Sequence, residues 1–234
     1  MTRIELLKKN PIFSILPAQE IAAVALLFQE KKFDKGALIF QEGAPAKWLY
    51  LVQDGKVRIL KDSANGKELV IELIFPGQIF GGIGVFEGTT YPATAQTMEP
   101  TEILQLSRCD FFKLIEKYPG LAKRAITYFG QRLKDAHELM RIIAIERVET
   151  RVAAILVKLM EQELRDRPQL PQSPSGIKLN VILTRSDIAE MVGTTVETAI
   201  RVMSKFTKSG WIKTTHSRIT ILKPEPLRQL STQR

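Results

Sequence analysis

The sequence contains little cysteine and little histidine, and both shortages exclude kinds of site. Cys109 is the only cysteine among 234 residues, which excludes an intramolecular disulfide and a four-cysteine iron–sulfur or zinc site within one chain. Both histidines, His137 and His216, follow residue 120. A metalloenzyme site within residues 1–120 would need two or more histidines beside a carboxylate. We therefore expect no enzyme activity, and we expect Cys109 to be a small buried residue.

Long apolar segments are also missing. The longest uninterrupted one runs from Ile21 to Phe28, far short of the roughly 18 residues that cross a bilayer as a helix. The first residues, MTRIELLKKNPIF, mix acidic and basic side chains among apolar ones and do not form a secretory signal. These features predict a cytoplasmic protein with no membrane partner.

Charge is distributed unevenly along the chain. Residues 1–120 contain 14 basic and 14 acidic residues, whereas the whole net charge of +9 arises after residue 120. From Lys178 onward the excess is +6 within 57 residues. A neutral first half and a basic end indicate that the end of the chain meets a polyanion.

The segment from Phe33 to Leu106 has the pattern of an antiparallel β domain. Short β-prone runs alternate in it with glycine-containing turns, of which Asp54-Gly55 and Asn65-Gly66 are strong hairpin signals. The predicted strands are Ala37–Gln41, Trp48–Gln53, Lys56–Lys61, Glu68–Ile74, Ala93–Thr97 and Glu102–Leu106. Such a series predicts a sandwich, jelly roll or barrel. Residues 1–31 have the apolar spacing of a helical region.

A long helical segment follows, from Leu106 to Glu146, with a break at Tyr118-Pro119-Gly120. After the break, apolar residues recur at alternating spacings of four and three, as in a coiled-coil seam. The seam consists of Ala122, Ile126, Phe129, Leu133, Ala136, Met140 and Ile143, and it ends at Arg147. A seam of this length predicts a homodimer, in which the helix pairs with its own copy across a two-fold axis. Packing of the helix on its own domain is the alternative.

The basic end contains the pattern of a helix-turn-helix. An amphipathic helix at 148–164 and a proline-rich loop at 165–176 precede it. The segments from Thr184 to Asp187 and from Thr194 to Glu197 are two capping boxes, each of which predicts a helix start. Gly193 lies in the turn between the two helices, as the motif requires.

The second helix of this motif contains residues that can read base pairs. Arg201 can make two hydrogen bonds to guanine, and Glu197 can accept one from cytosine N4. Ile200 or Val196 can contact a thymine methyl group, and the start of the first helix suits phosphate groups. The predicted DNA contacts are Arg185, Ser186, Val196, Glu197, Ile200, Arg201, Ser204, Lys205 and Arg218. The alternatives are that Glu197 only caps its helix and that Arg201 is only a solvated charge.

This order of parts resembles the CRP/FNR family of bacterial transcription regulators over essentially the whole chain. The matching segments are FDKGALIFQEGAPAKWLYLVQDGKVRIL, PGQIFGGIGVFEG and TRSDIAEMVGTTVETAIRVM. The resemblance implies an α+β fold with three parts. They are an antiparallel β-roll or jelly-roll sensory domain at 1–118, a central dimerisation helix at 119–147 and a DNA-binding winged helix-turn-helix at 148–234.

The resemblance also implies a double-stranded DNA partner with a two-fold symmetric site. The frame from Glu197 to Arg201 is similar to the family's E-x-x-x-R or E-x-x-S-R motif, which implies half-sites like TTGA or TGTGA. Ile200 stands where the family has Ser or Gly, so the half-site sequence stays open. By the same resemblance, the loop at 165–176 is a surface for RNA polymerase.

The glycine-rich segment IFGGIGVFEGTTYPATAQT, residues 79–97, corresponds by resemblance to an effector pocket. In the family's cyclic-AMP receptors a Glu takes the ribose hydroxyl and an Arg-Ser pair takes the cyclic phosphate. Here Gly82 stands at the Glu position and Tyr91-Pro92 where Arg-Ser would be, and a buried phosphate without a cation is costly. The predicted pocket consists of Gly81, Gly82, Ile83, Gly84, Tyr91, Pro92, Ala93, Leu133 and His137. We therefore expect a small effector other than cyclic AMP.

Two alternatives for the effector remain. A haem-based gas or nitrosative-stress sensor would use His137 as the axial ligand of the iron, although a lone histidine on a helix flank is also an ordinary interface residue. A cyclic-nucleotide-binding regulator is the other alternative. An FNR-type iron–sulfur cluster is not expected, because the chain has a single cysteine.

Overall fold

Eight strands form in the first half of the chain in the computed structural model, which describes residues 2–62, 68–145, 147–166 and 176–232. They are β1 (Gln29–Phe33), β2 (Leu38–Phe40), β3 (Trp48–Asp54), β4 (Val57–Asp62), β5 (Glu68–Ile74), β6 (Ile79–Phe80), β7 (Thr94–Thr97) and β8 (Thr101–Ser107). One antiparallel sheet has the order β1-β8-β3-β6, and a second has the order β2-β7-β4-β5. All six predicted strands are confirmed.

These sheets belong to the first of two compact units, Met1–Lys134 and Asp135–Arg234. The helices of the first unit are α1 (Arg3–Lys9), α2 (Ala18–Leu26), α3 (Gly82–Glu87), α4 (Arg108–Lys117) and the first part of α5 (Gly120–Ile145). Strand β3 is apolar on both faces because it lies between two cores. Leu49 and Leu51 pack in a cluster with residues of the helices, whereas Tyr50 and Val52 lie in a cluster between the two sheets.

The prediction of one helical region over 1–31 is wrong at its end. Helix α2 ends at Leu26, Phe28 is buried just beyond it, and β1 begins at Gln29. This strand pairs with β8 from Gln29 opposite Gln105 to Phe33 opposite Thr101. Its side chains are mostly exposed, so its sequence, QEKKF, lacks the apolar alternation that reveals a strand.

The glycine-rich segment contains a helix as well as turns. Gly81 and Gly88 flank α3 with φ values of 76° and 71°, in the left-handed region that favours glycine. The expectation that Cys109 is buried is wrong, since its side chain is exposed near the start of α4. The buried face of α4 carries Phe111 and Leu114 instead. The predicted Asn65-Gly66 turn lies outside the described residues.

The second unit contains the rest of α5 and a three-stranded sheet with helices. Its further elements are α6 (Val148–Asp166), β9 (Ile177–Ile182), α7 (Arg185–Val192), α8 (Val196–Lys208), β10 (Ile212–Thr215), β11 (Arg218–Ile221) and α9 (Pro224–Thr232). The antiparallel sheet has the order β10-β11-β9. Most of the predicted loop at 165–176 lies outside the described residues. Among the described helices, none is long and apolar enough to cross a membrane.

Candidate nucleic-acid interface

Helix α7 begins and ends where its sequence predicts. The hydroxyl of Thr184 accepts the backbone N–H of Asp187 at 3.1 Å, and the carboxylate of Asp187 accepts the N–H of Thr184 at 2.7 Å. This reciprocal pair is a capping box. Gly193 ends the helix with a φ of 63°, a left-handed conformation that glycine adopts at little cost. The turn to α8 therefore has the geometry of a helix-turn-helix.

The start of α8 differs from the prediction by one residue. Thr195, not Thr194, is the N-cap, and its hydroxyl accepts the N–H of Thr198 at 3.3 Å. Glu197 consequently lies in the first turn and does not close a capping box. Its own backbone N–H and the hydroxyl of Thr195 lower the pKa of the Glu197 carboxyl, so this exposed residue is charged at neutral pH.

Helix α8 has one buried and one exposed face. Ala199, Val202, Met203 and Phe206 are buried, and the ring of Phe206 stacks on Trp211 with the ring centroids 5.2 Å apart. Seven of the exposed residues recur every fourth position, as one face of a helix requires. They are Val196, Glu197, Ile200, Arg201, Ser204, Lys205 and Lys208. The structure thus brings all the predicted base-contacting residues of α8 onto one face.

The predicted phosphate contacts lie around this helix with differing partners. Arg185 is half-buried and donates from Nη2 to the hydroxyl of Thr214 in β10 at 3.3 Å; burial lowers the pKa of its guanidinium. The hydroxyl of Ser186 donates to Glu190. Lys205 Nζ donates to both carboxylate oxygens of Glu149.

The hairpin after α8 is the wing of the motif. His216 and Ser217 both have positive φ values, 49° and 59°, at the tight turn between β10 and β11. Arg218 is exposed directly after this turn. A single helix of this kind fits the roughly 12 Å wide major groove of DNA.

Within the first unit, aromatic rings fill the space between the two sheets. The rings of Phe40 and Tyr91 stack with centroids 3.8 Å apart, and Tyr50 stacks on Phe80 at 5.1 Å. The Tyr91 hydroxyl donates to the backbone carbonyl of Trp48 at 2.8 Å and accepts its N–H at 3.1 Å. Burial raises the pKa of both Tyr50 and Tyr91.

Two glycines of the predicted effector pocket, Gly82 and Gly84, are packed so closely that a Cβ atom at either position would displace a neighbour. A Cβ at Gly82 would lie 2.5 Å from Cζ of Phe129, and a Cβ at Gly84 would lie 2.4 Å from the carbonyl oxygen of Thr90. Tyr91 and Ala93 are buried with them, whereas Ile83 and Pro92 are exposed and Gly81 is half-buried. Leu133 in the first unit and His137 in the second are exposed on α5.

One depression on the first unit, with a volume of about 940 Å³, was not predicted from any sequence pattern. Its lining includes Lys47, Trp48, Arg108 and Phe112, and none of the nine predicted pocket residues belongs to it. Arg108 is held in place there, since its Nε donates to the carbonyl of Val85 at 2.9 Å and its guanidinium lies over the ring of Phe112.

Two family models match this chain, one in each unit. A cyclic nucleotide-binding domain matches residues 30–118, and a Crp-like helix-turn-helix domain matches residues 150–230. Together they cover the β domain and the helix-turn-helix described above.

Whole-chain relatives agree with these matches. The chain is 29% identical over 207 residues to the cyclic AMP receptor protein of Thermus thermophilus, covering 88% of this chain and 90% of that protein. It is 26% identical over 206 residues to the fumarate and nitrate reduction regulatory protein of Escherichia coli, covering 88% and 80%. The structure of FixK2 from Bradyrhizobium japonicum has the same fold, with a TM-score of 0.78 over 88% of this chain and 98% of that one, at 21% identity.

Proposed function

Because this chain belongs to the CRP/FNR family of transcription regulators, we propose that it is a cytoplasmic homodimer that binds a two-fold symmetric DNA site. The half-sites would resemble TTGA or TGTGA. No enzyme activity is part of the proposal. The observation that carries it is the exposed face of α8, which combines Arg201 and Glu197 with Ile200 and Val196. A guanidinium, a carboxylate and apolar groups on one helix face can distinguish base pairs by the donors, acceptors and methyl groups that the pairs present in the major groove.

The exposed apolar side chains of α5 are the observation that supports the proposed dimer. Ile126, Leu133 and Met140 are 74%, 56% and 57% exposed and lie seven residues apart. This spacing keeps them on one stripe of the helix, and exposed apolar stripes of that length indicate a partner surface. Phe129 of the predicted seam instead packs against its own unit. Two copies of α5 would place two recognition helices on one DNA face.

The effector that we propose is a small molecule other than cyclic AMP. Tyr91 stands where the family's cyclic-AMP receptors have the Arg-Ser pair, and its ring is stacked on Phe40. Its hydroxyl is already bonded to Trp48, so the Tyr91 side chain offers a cyclic phosphate neither a positive charge nor a free donor. A buried phosphate anion without such partners is strongly disfavoured.

The test is a selection of duplexes from a random pool by the full-length protein, followed by sequencing. We expect a two-fold symmetric sequence whose half-sites are about 10 base pairs apart, centre to centre. The Arg201→Ala variant should then lose about 1–3 kcal/mol of discrimination between the selected and a scrambled duplex.

Lys208→Ala is the matched control, because Lys208 lies on the same helix beyond the base-contacting residues. Loss of a phosphate contact should weaken binding to both duplexes equally. A pool that yields no enriched sequence would contradict the proposed function. Equal weakening of both duplexes by Arg201→Ala would instead contradict only the role of Arg201.

A further inference from the structure

The depression of about 940 Å³ on the first unit combines a fixed guanidinium with aromatic side chains. It lies where the start of β3 meets the end of β8 and the start of α4. Trp48 is opposite Ser107 in the sheet, and the N–H of Arg108 donates to the carbonyl of Lys47 at 2.9 Å. Helix α4 adds Phe112 one turn after Arg108. Two strands and a helix therefore place the side chains of this depression.

Arg108 is held so that the two terminal nitrogens of its guanidinium can meet a ligand. Its Nε donates to the carbonyl of Val85 at 2.9 Å, and its Cζ lies 5.0 Å from the centre of the Phe112 ring. A Cβ atom at Gly88 would lie 2.9 Å from Nη2, so the lack of a side chain there leaves room for the guanidinium. Within the described ranges, neither Nη1 nor Nη2 has a hydrogen-bond or ion-pair partner. Such a fork of donors matches a carboxylate.

Positive charge exceeds negative charge around Arg108. Lys47 and Lys113 also line the depression, and Glu116 is the one acidic residue among the described residues of the lining. Lys47 is exposed and has no ion-pair partner in the part of the chain that the structure describes. Lys113 lies 3.9 Å from Asp110. Three cations and one anion in the lining favour an anionic ligand.

Two aromatic rings give the same depression an apolar wall. Trp48 and Phe112 are both half-buried, and Trp48 also packs against the cluster between the two sheets. Exposed parts of such rings stack on a planar ligand or meet its edge. Small-molecule sites are mostly apolar clefts of about 300–1,000 Å³ in which a few polar groups fix the orientation of the ligand. Flat apolar walls beside a fork of donors fit a small aromatic carboxylate.

We propose that this depression binds the small effector of the protein and that the effector is an aromatic carboxylate. Its carboxylate binds the Nη groups of Arg108, and its ring lies against Trp48 and Phe112. The inference rests on the proposed function, in which an effector other than cyclic AMP controls the protein. It places that effector outside the predicted glycine-rich pocket.

Ring contacts connect the depression to α5. Phe112 meets Phe86 of α3 edge to face at a centroid distance of 6.1 Å, and Phe86 meets Phe129 of α5 in the same way at 5.5 Å. Arg108 also contacts α3 directly, through the carbonyl of Val85. A ligand that moves Phe112 or Arg108 therefore alters the packing of α3 on α5, the helix that carries the apolar stripe of the proposed dimer.

The first experiment measures binding to the full-length protein by isothermal titration calorimetry. The probes are naphthoate, naphthamide, which has the same rings without the charge, and acetate, which has the charge without the rings. Cys109 is exposed, lines the depression and is the only cysteine of the chain. Its alkylation by iodoacetamide therefore shows whether a probe occupies this site.

We expect naphthoate to bind with a Kd below about 1 mM. Naphthamide and acetate should bind at least about tenfold more weakly, because each lacks one of the two recognised groups. At about ten times its Kd, naphthoate should slow the alkylation of Cys109 roughly tenfold.

Three variants test the cations. Arg108→Gln should weaken naphthoate binding roughly ten- to hundredfold, because the charge-assisted hydrogen bonds are lost. Lys47→Gln leaves the bond between Arg108 and Val85 in place and should weaken binding about two- to fivefold, so the test holds even where Arg108→Gln fails to fold. Lys8→Gln in α1 removes the same charge outside the depression and should match the wild type.

The second experiment measures the affinity of the wild type for the selected duplex by fluorescence anisotropy, with and without saturating naphthoate. We expect a change of at least about fivefold. Arg108→Gln should show no such change at the same naphthoate concentration.

Failure of naphthoate to bind, equally tight binding of naphthamide, or unaltered alkylation of Cys109 would overturn the site. Wild-type affinity for naphthoate in both Arg108→Gln and Lys47→Gln would do the same. Bound naphthoate with unchanged DNA affinity would overturn the effector role. Failure of the wild type to prefer any DNA sequence is a separate result, because it contradicts the proposed function while the calorimetry still tests the site.

Discussion

A Cβ atom built on Gly82 would lie 2.5 Å from Cζ of Phe129, closer than two carbon atoms approach without displacement. Gly82 begins α3 in the glycine-rich segment, and Phe129 belongs to the long helix α5. The Phe129 ring is held by edge-to-face contacts with Phe86 and Tyr128, at centroid distances of 5.5 Å and 5.3 Å. The glycine therefore allows close packing of α5 on the β domain.

Replacing Gly82 by Ala should destabilise the protein. The added methyl group must displace the Phe129 ring, and overpacking of this kind costs about 1–3 kcal/mol. The free energy of unfolding is measured by urea titration. Gly130→Ala is the matched control on α5, because a Cβ there meets nothing within 4 Å and Ala stabilises a helix interior by about 0.5–1 kcal/mol relative to Gly. Opposite signs for the two variants are expected, and equal effects would refute the packing argument.

Replacing Tyr91 by Phe should cost about 1–3 kcal/mol at neutral pH, because it leaves the N–H and C=O of Trp48 without their partner. It should also change the alkaline unfolding profile. Burial raises the pKa of Tyr91 above its ordinary value, so the folded protein keeps a proton that the unfolded chain loses near pH 10. This contribution to stability is therefore full below about pH 10 and falls as the pH rises above it.

The measurement is the free energy of unfolding between about pH 9 and 11 for the wild type and Tyr91→Phe. Each tyrosine whose pKa is raised in the folded protein lowers the free energy of unfolding by up to about 1.4 kcal/mol per pH unit above its unfolded pKa. The variant has one such tyrosine fewer. The wild-type curve should fall more steeply by that amount. Parallel curves would show that Tyr91 titrates normally in the folded protein.

Local signals explain which parts of the fold the sequence predicts. Glycine turns delimit the strands of the β domain, and Thr184 with Gly193 delimits α7, so short-range chemistry is sufficient there. Strand β1 is not predicted, because its mostly exposed side chains lack the alternation of apolar and polar residues. The N-cap of α8 cannot be located from the sequence alone, because the adjacent Thr194 and Thr195 carry the same hydroxyl group. The structure has Thr195 in this position.

The contents of the effector region could not be predicted for a different reason. Tyr91 is identifiable in the sequence as a departure from the family's Arg-Ser pair, but its stacking on Phe40 joins residues that are distant in the chain. The Cβ contacts of Gly82 and Gly84 are likewise tertiary. The spacing of apolar residues indicates whether a segment is a helix or a strand. It does not indicate which side chains of different segments pack together in this region.

Replacing Leu133 by Glu should dissociate the proposed dimer. Leu133 is 56% exposed at the middle of the stripe formed with Ile126 and Met140, and a charge in an apolar interface is costly. Sedimentation velocity should show the mass falling from twice the chain mass to the chain mass. Thr127→Glu is the control, because Thr127 is an exposed residue of α5 next to the stripe. A variant that keeps the wild-type mass would show that this stripe is not the interface.

The ion pair between Glu149 and Lys205 gives a last prediction, about DNA affinity. Lys205 Nζ lies 2.8 Å and 3.0 Å from the two oxygens of Glu149, in the first turn of α6, and this pairing competes with a phosphate for the same ammonium group. Glu149→Gln should release Lys205, tighten binding to any duplex by roughly two- to fivefold and steepen the salt slope by up to about 1. Stability should change by less than about 1 kcal/mol, because the pair is exposed.

Glu161→Gln separates this effect from a general gain of positive charge. Glu161 is exposed on the same helix, so the substitution changes the net charge equally without touching Lys205. In the Lys205→Ala background, Glu149→Gln should have no more effect than Glu161→Gln, since the group that it releases is gone. If Glu149→Gln tightened binding as much in that background as in the wild type, the carboxylate would be acting on the DNA itself by repulsion, and the competition between Glu149 and a phosphate for Lys205 would be refuted.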